Sequence, residues 1–184
     1  VNSGLRRALL LSLIGARDEE LSGIVRLQKM LFLLEKEAKV RELLRAGYDF
    51  EAYRFGPYSR EVYDDLEFLE NLGLIRTRPS ESESEVAEES EEDILLTDYS
   101  LSRAETSEFG RHSERTFALT REGSAKLKEI IGKLAARGVD AEALQRKTRQ
   151  IREKYDRVPL YRLIRYVYKK YPDFARNSEL VHLK

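Results

Sequence analysis

The sequence contains no cysteine. That excludes structural disulfides, thiolate metal sites and a cysteine nucleophile, and it suits a reducing cytoplasm, the location expected here. Tryptophan is also missing, and methionine occurs once. The two histidines, His112 and His182, lie far apart with no ligand partner at metal spacing. The ten glycines are scattered singly and form no phosphate-cradling loop. Long apolar runs are missing as well. The longest near the N-terminus, Ala8 to Ile14, is broken by Ser12 and is too short to span a bilayer. Behind Arg6 and Arg7 it has the charge pattern of a signal peptide, but no small-residue cleavage site follows, so it reads as a first core helix.

What is present is charge. Lysine and arginine number 33, balanced by 33 aspartates and glutamates. The balance hides an asymmetry. Glu81, Glu83, Glu85, Glu88, Glu89, Glu91, Glu92 and Asp93 form one acidic Glu/Ser segment without a base, leaving the rest of the chain at +8. From Arg146 onward, twelve bases face four acids. The acidic segment cannot bury enough apolar surface to order itself, so a mobile loop is expected over about 79–93.

The periodicity predicts helices over Leu5–Ala16 and from a Ser22 cap to about Lys39 or further, with Gly47 as the stop. Ile24, Leu27, Met30, Leu31 and Leu34, widened by Phe32 and Leu33, make the second helix apolar over most of its circumference, hence central. Arg26, Lys29 and Lys36 are expected to snorkel from it. Phe50–Arg54 reads as extended, and Gly56-Pro57 as a turn. The next helix begins near Ser59, with Val62, Leu66, Leu69 and Leu72 facing inward. Gly73 is its exit into a strand at Leu74-Ile75. Ile94–Leu101 suits a further strand and Arg115–Leu119 another. Thr120 caps a helix with Leu127, Ile130, Ile131 and Leu134 on one face, ended by Gly138. Pro159 and Pro172 bracket a last helix.

The order helix, helix, helix, strand, long loop, strand, helix defines the expected fold class. It is mostly α, a winged-helix-like body of helices plus a small β wing over 1–138, with an added basic helical C-terminal segment over 139–184. Arg26–Leu33 (RLQKMLFL), Phe50–Ser59 (FEAYRFGPYS) and Val62-Tyr63 resemble the paired motifs of the Panacea, or SocA-like antitoxin, domain. The whole chain, including Leu163–Tyr168 and Tyr171-Pro172, is similar to YwgA-like proteins of bacteria and archaea. The Panacea resemblance implies a mostly helical, non-enzymatic domain that binds a partner protein, commonly a toxin.

A winged helix most often reads DNA with its third helix. Here that helix carries Glu61, Asp64, Asp65, Glu67 and Glu70 against Arg60, the wrong sign for phosphate. Asp64-Asp65 with Glu61 or Glu67 converge poorly on a cation, because adjacent residues of a helix point about 100° apart. These acids are expected on a solvated face. Glu37-Ala38-Lys39 has the spacing of a nuclease tail but no supporting Pro-Asp strand. No enzymatic activity, metal or cofactor is therefore expected.

The first expectation is a regulatory, antitoxin-like protein-interaction module. It presents Tyr53, Arg54, Tyr58, Ser59, Arg60 and Tyr63 to a protein partner or a second copy of the chain, with no membrane partner. The alternative is a DNA-binding transcriptional regulator that contacts phosphate through the basic C-terminal helices at Arg162, Arg165, Lys169 and Lys170.

Overall fold

The computed structural model describes residues 3–79 and 115–180. The acidic segment, the strand expected at Ile94–Leu101 and both histidines lie outside the described residues. The described chain is mostly helical, with a small antiparallel sheet and a separate hairpin.

Helix α1 (Ser3–Ile14) is apolar from Ala8 onward except at Ser12, and buries that end completely. A two-residue strand β1 (Leu21–Ser22) follows, then α2 (Ile24–Lys36). Ser22 does not cap α2, because it pairs in the sheet with Thr116; Gly23, at φ 83°, takes the cap position. Burial of α2 extends around nearly its whole circumference, as its composition dictates. It does not run on past Lys39. Lys39 and Arg45 both adopt left-handed backbone, isolating the short α3 (Val40–Leu44) between them, so Arg45 rather than Gly47 ends the helical stretch.

Strands β2 (Glu51–Tyr53) and β3 (Gly56–Tyr58) form a hairpin in register Glu51↔Tyr58, Ala52↔Pro57 and Tyr53↔Gly56. The turn is therefore Arg54-Phe55, and Pro57 is a strand residue. Gly56, at φ 89°, enters the second strand in a conformation that favours glycine. A Cβ there would also stand 2.7 Å from the Tyr168 ring.

Helix α4 (Arg60–Asn71) starts behind Ser59 and buries Val62, Leu66 and Leu69. Leu72 is 57% exposed and leaves the inward stripe, because it has reached the C-cap. Gly73 and Leu74 then close a Schellman motif, Gly73 N donating to Glu70 O and Leu74 N to Leu69 O. Strand β4 (Ile75–Pro79) pairs antiparallel with β5 (Arg115–Leu119), which also pairs with β1, giving the order β1-β5-β4. Thr120 caps α5 (Arg121–Ala136) by accepting from Gly123 N at 2.9 Å.

Helices α6 (Ala141–Tyr155) and α7 (Leu160–Lys170), with a 3₁₀ turn at Pro172–Ala175, complete the described chain. Leu144, Ile151, Leu163 and Val167 join the same core cluster as α1 and α2. Arg152 is wholly buried. It donates to the Leu13, Ile14 and Glu19 carbonyls and pairs with Asp156, so a side chain of α6 terminates α1.

Candidate protein-binding surface

The hairpin and the start of α4 are held to α2 by two consecutive side chains. Gln28 makes a reciprocal pair with one residue: its Nε2 donates to Ser59 O at 3.1 Å, and Ser59 N donates to its Oε1 at 2.8 Å. Lys29 Nζ donates to Pro57 O at 2.9 Å. Both side chains are 2% exposed. Lys29 thus turns inward rather than snorkelling, and burial lowers its pKa from the ordinary lysine range to about 7. The Gln-Lys pair and the Gly-Pro-Tyr-Ser stretch, separate in sequence, are a clamp and the backbone it grips.

The C-terminal region holds the hairpin from its other side. Glu179 N donates to Arg54 O at 2.9 Å, and Asn177 Nδ2 to Ala52 O at 3.0 Å. Phe55 packs against the cluster of Tyr161, Ile164 and Tyr168, so this aromatic anchors the turn. Tyr168 Oη shares a 2.6 Å hydrogen bond with Ser178 Oγ.

Fixed in this way, three tyrosines from three elements come together. The Tyr53 and Tyr58 rings are 4.8 Å apart and those of Tyr58 and Tyr63 5.9 Å apart. All three are half-buried, and burial raises the hydroxyl pKa of Tyr58 and, more strongly, of Tyr63. Arg54 is exposed at the turn and pairs with Glu179 at 3.2 Å. Arg60 is exposed on the first turn of α4. Ser59, the remaining residue expected on this surface, is 1% exposed and cannot touch a partner. Its backbone belongs to the Gln28 clamp, and its Oγ has no hydrogen-bond partner.

The acids of α4 divide into two sets. Asp65 is completely buried and accepts from Arg6 Nε at 2.6 Å, Arg7 Nε at 2.8 Å and Tyr48 Oη at 3.2 Å. Glu61 is half-buried and also pairs with Arg6. Neither belongs to a solvated face, and the Asp65 oxygens are already occupied by donors. The outer face keeps Asp64, Glu67 and Glu70 against Arg60, so it remains acidic. Phe68 is 40% exposed there, with the Arg7 guanidinium 3.6 Å from its ring centre.

The basic candidates lie elsewhere. Arg162, Arg165, Lys169 and Lys170 are all exposed on α7, whose opposite side buries Leu163, Ile164 and Val167. Lys170 is engaged with Glu37 at 2.9 Å and with Tyr166 Oη at 3.0 Å. Arg162 Nε donates to Tyr161 Oη at 2.9 Å.

Among the described residues, no cluster of acids or histidines is placed to hold a metal, and no helix is long and apolar enough to cross a membrane. No protein-family model matches this sequence, and no curated protein matches it.

Proposed function

We propose that the chain is a non-enzymatic, cytoplasmic, antitoxin-like binding protein that engages a protein partner through the Tyr53–Tyr58–Tyr63 surface of a winged-helix body. The observation that carries this reading is the rigid seating of the three rings. A hairpin gripped from α2 by Gln28 and Lys29, and from the C-terminal side through Arg54 O and Ala52 O, presents aromatic area already ordered. Tyrosines so placed lose little conformational freedom on binding, which favours them as interface anchors. The winged-helix assignment is supported by the order α1, β1, α2, α4, β4, β5 and the sheet order β1-β5-β4, with α3 and the hairpin inserted before α4. The outer acids of α4 argue against reading a phosphate backbone there. The test is co-purification from native cells. The wild-type chain is expected to retain a discrete protein partner that the double variant Tyr53→Ala/Tyr58→Ala loses while keeping the wild-type melting profile. Equal retention by both overturns the reading.

A second reading, nucleic-acid binding by the C-terminal helices, is favoured by the exposure of Arg162, Arg165 and Lys169 along one side of α7. It requires binding to random duplex DNA that weakens steeply with salt and is lost on charge reversal at Arg162, Arg165 and Lys169. No binding at low salt removes it.

A further inference from the structure

We propose that the cleft between α2 and the β2–β3 hairpin receives the carboxylate of a glutamate or aspartate side chain of the protein partner, with Lys29 Nζ as its counter-ion. The inference rests on the protein-binding reading and goes beyond it by naming the group that enters.

The cleft is lined by Gln28, Lys29, Tyr53, Phe55, Tyr58 and Tyr63 among others, and its cavity measures about 30 Å³. That is room for about two water-sized groups. It matches the two oxygens of a carboxylate and is too small for an aromatic ring, so the remainder of the partner must lie on the surface outside.

Charge gives the second argument. Two buried arginines are matched, Arg6 by Asp65 and Arg152 by Asp156, while Arg26 is held by the Tyr155 and Val158 carbonyls. Among the described residues no carboxylate forms an ion pair with Lys29, and it has one hydrogen bond, donated to a carbonyl. An ammonium carries three donors, and a buried cation is ordinarily paired. Among the described residues the titratable groups facing Lys29 are Tyr53, Tyr58 and Tyr63, with Tyr168 across Gly56; burial raises the hydroxyl pKa of Tyr58, Tyr63 and Tyr168. Arg54, at the edge, is tied to Glu179. Glu51 and Asp64 are exposed and bear on Tyr58 from outside, as does Arg60. Among the described residues the cleft therefore holds one buried lysine without a counter-ion and no carboxylate paired with it.

A carboxylate next to Nζ restores the charged form of the lysine. Because Lys29 sits at about 7 in the free protein, binding above that pH takes up a proton. The affinity for a carboxylate then falls about tenfold per pH unit above 7.

The probes are the capped tripeptide Ala-Glu-Ala and its uncharged isostere Ala-Gln-Ala, titrated into the full chain. Binding is followed by NMR at the Lys29 side chain and the three tyrosine rings. The expected result is saturable shifts with the glutamate peptide, a preference of about tenfold or more over glutamine below pH 7, and loss of binding in Lys29→Met. If Lys29→Met does not fold, calorimetry on the wild-type chain replaces it. Two buffers of different ionisation heat, at about pH 8, should report uptake of close to one proton. Equal binding of both peptides, no proton uptake, or binding only by an uncapped peptide through its terminal carboxylate overturns the inference. A chain that keeps its partner after Tyr53→Ala/Tyr58→Ala fails the surface reading. A chain that loses the partner there yet ignores the glutamate peptide fails only this inference.

Discussion

Asp65 and Lys29 are both buried ionisable side chains, one matched by arginines and the other held by a carbonyl. Asp65 receives donors from Arg6, Arg7 and Tyr48 in a fully buried setting. Asp65→Ala strands the Arg6 guanidinium, so it should destabilise the chain by about 3–5 kcal/mol in urea unfolding. Asp64→Ala, one residue away and exposed, should change stability by less than about 0.5 kcal/mol.

Lys29 and Glu35 make stability depend on pH in opposite senses. Glu35 is raised to about 7 by burial, although Tyr48 N donates to it. Between its unfolded value of 4.5 and 7 the folded state holds the extra proton, so its contribution declines as pH rises. Lys29 falls from 10.5 unfolded to about 7 folded. Between 7 and 10.5 the unfolded state holds the extra proton, so stability rises with pH. Each slope is limited to about 1.4 kcal/mol per pH unit. Denaturation across pH should show Lys29→Met flattening the alkaline rise and Glu35→Gln flattening the acidic decline. An unchanged profile in both variants contradicts these assignments. Asp65 was legible in principle: it lies three residues after Val62 and four before Leu69, inside the apolar stripe. A polar residue on that stripe signals a buried pair, but its partner in α1 is set by packing that no local pattern encodes.

Elements were most readable where glycine and threonine set their ends. Gly73 and Gly138 take left-handed backbone and close Schellman motifs, and Thr120 caps α5 as its position suggested. The hairpin was less readable. Turn chemistry alone favours Gly56-Pro57, but Phe55 is drawn into the cluster around Tyr161 and Arg54 O accepts from Glu179 N, so tertiary contacts move the turn two residues earlier. Gln28→Leu keeps the volume but leaves Ser59 N unpaired and buried, while Ser59 O keeps its bond from Val62 N; the loss should cost about 1–3 kcal/mol. Hydrogen exchange at the Ser59 amide should accelerate at the same time. Where α5 meets the chain just before β4, Gly123→Ala places a Cβ 1.8 Å from Leu74 O, a backbone atom that cannot turn aside. It should lower the melting temperature more than Gly132→Ala, where the space is open.

At the scale of the molecule, the basic C-terminal helices share the core of the rest. Leu144, Ile151, Leu163 and Val167 pack with α1 and α2, Arg152 closes α1, and residues 177–179 hold the hairpin. A chain ending at 138 should therefore lose its cooperative thermal transition, as circular dichroism would register. The sequence pattern conveyed the helical content of this segment and its amphipathic faces, but not which body it packs on, because an apolar face does not name its partner. The same architecture turns two distinct surfaces outward: the tyrosine cluster beside a buried lysine that forms no ion pair among the described residues, and the arginine-lysine side of α7. A photo-crosslinking residue placed at Tyr58 or at Arg162 in native cells separates them. Protein binding through the tyrosine surface predicts a discrete protein adduct from Tyr58 that disappears with Tyr53→Ala/Tyr63→Ala, and no adduct of comparable yield from Arg162. Adducts to nucleic acid from Arg162, with none to protein from Tyr58, would contradict it.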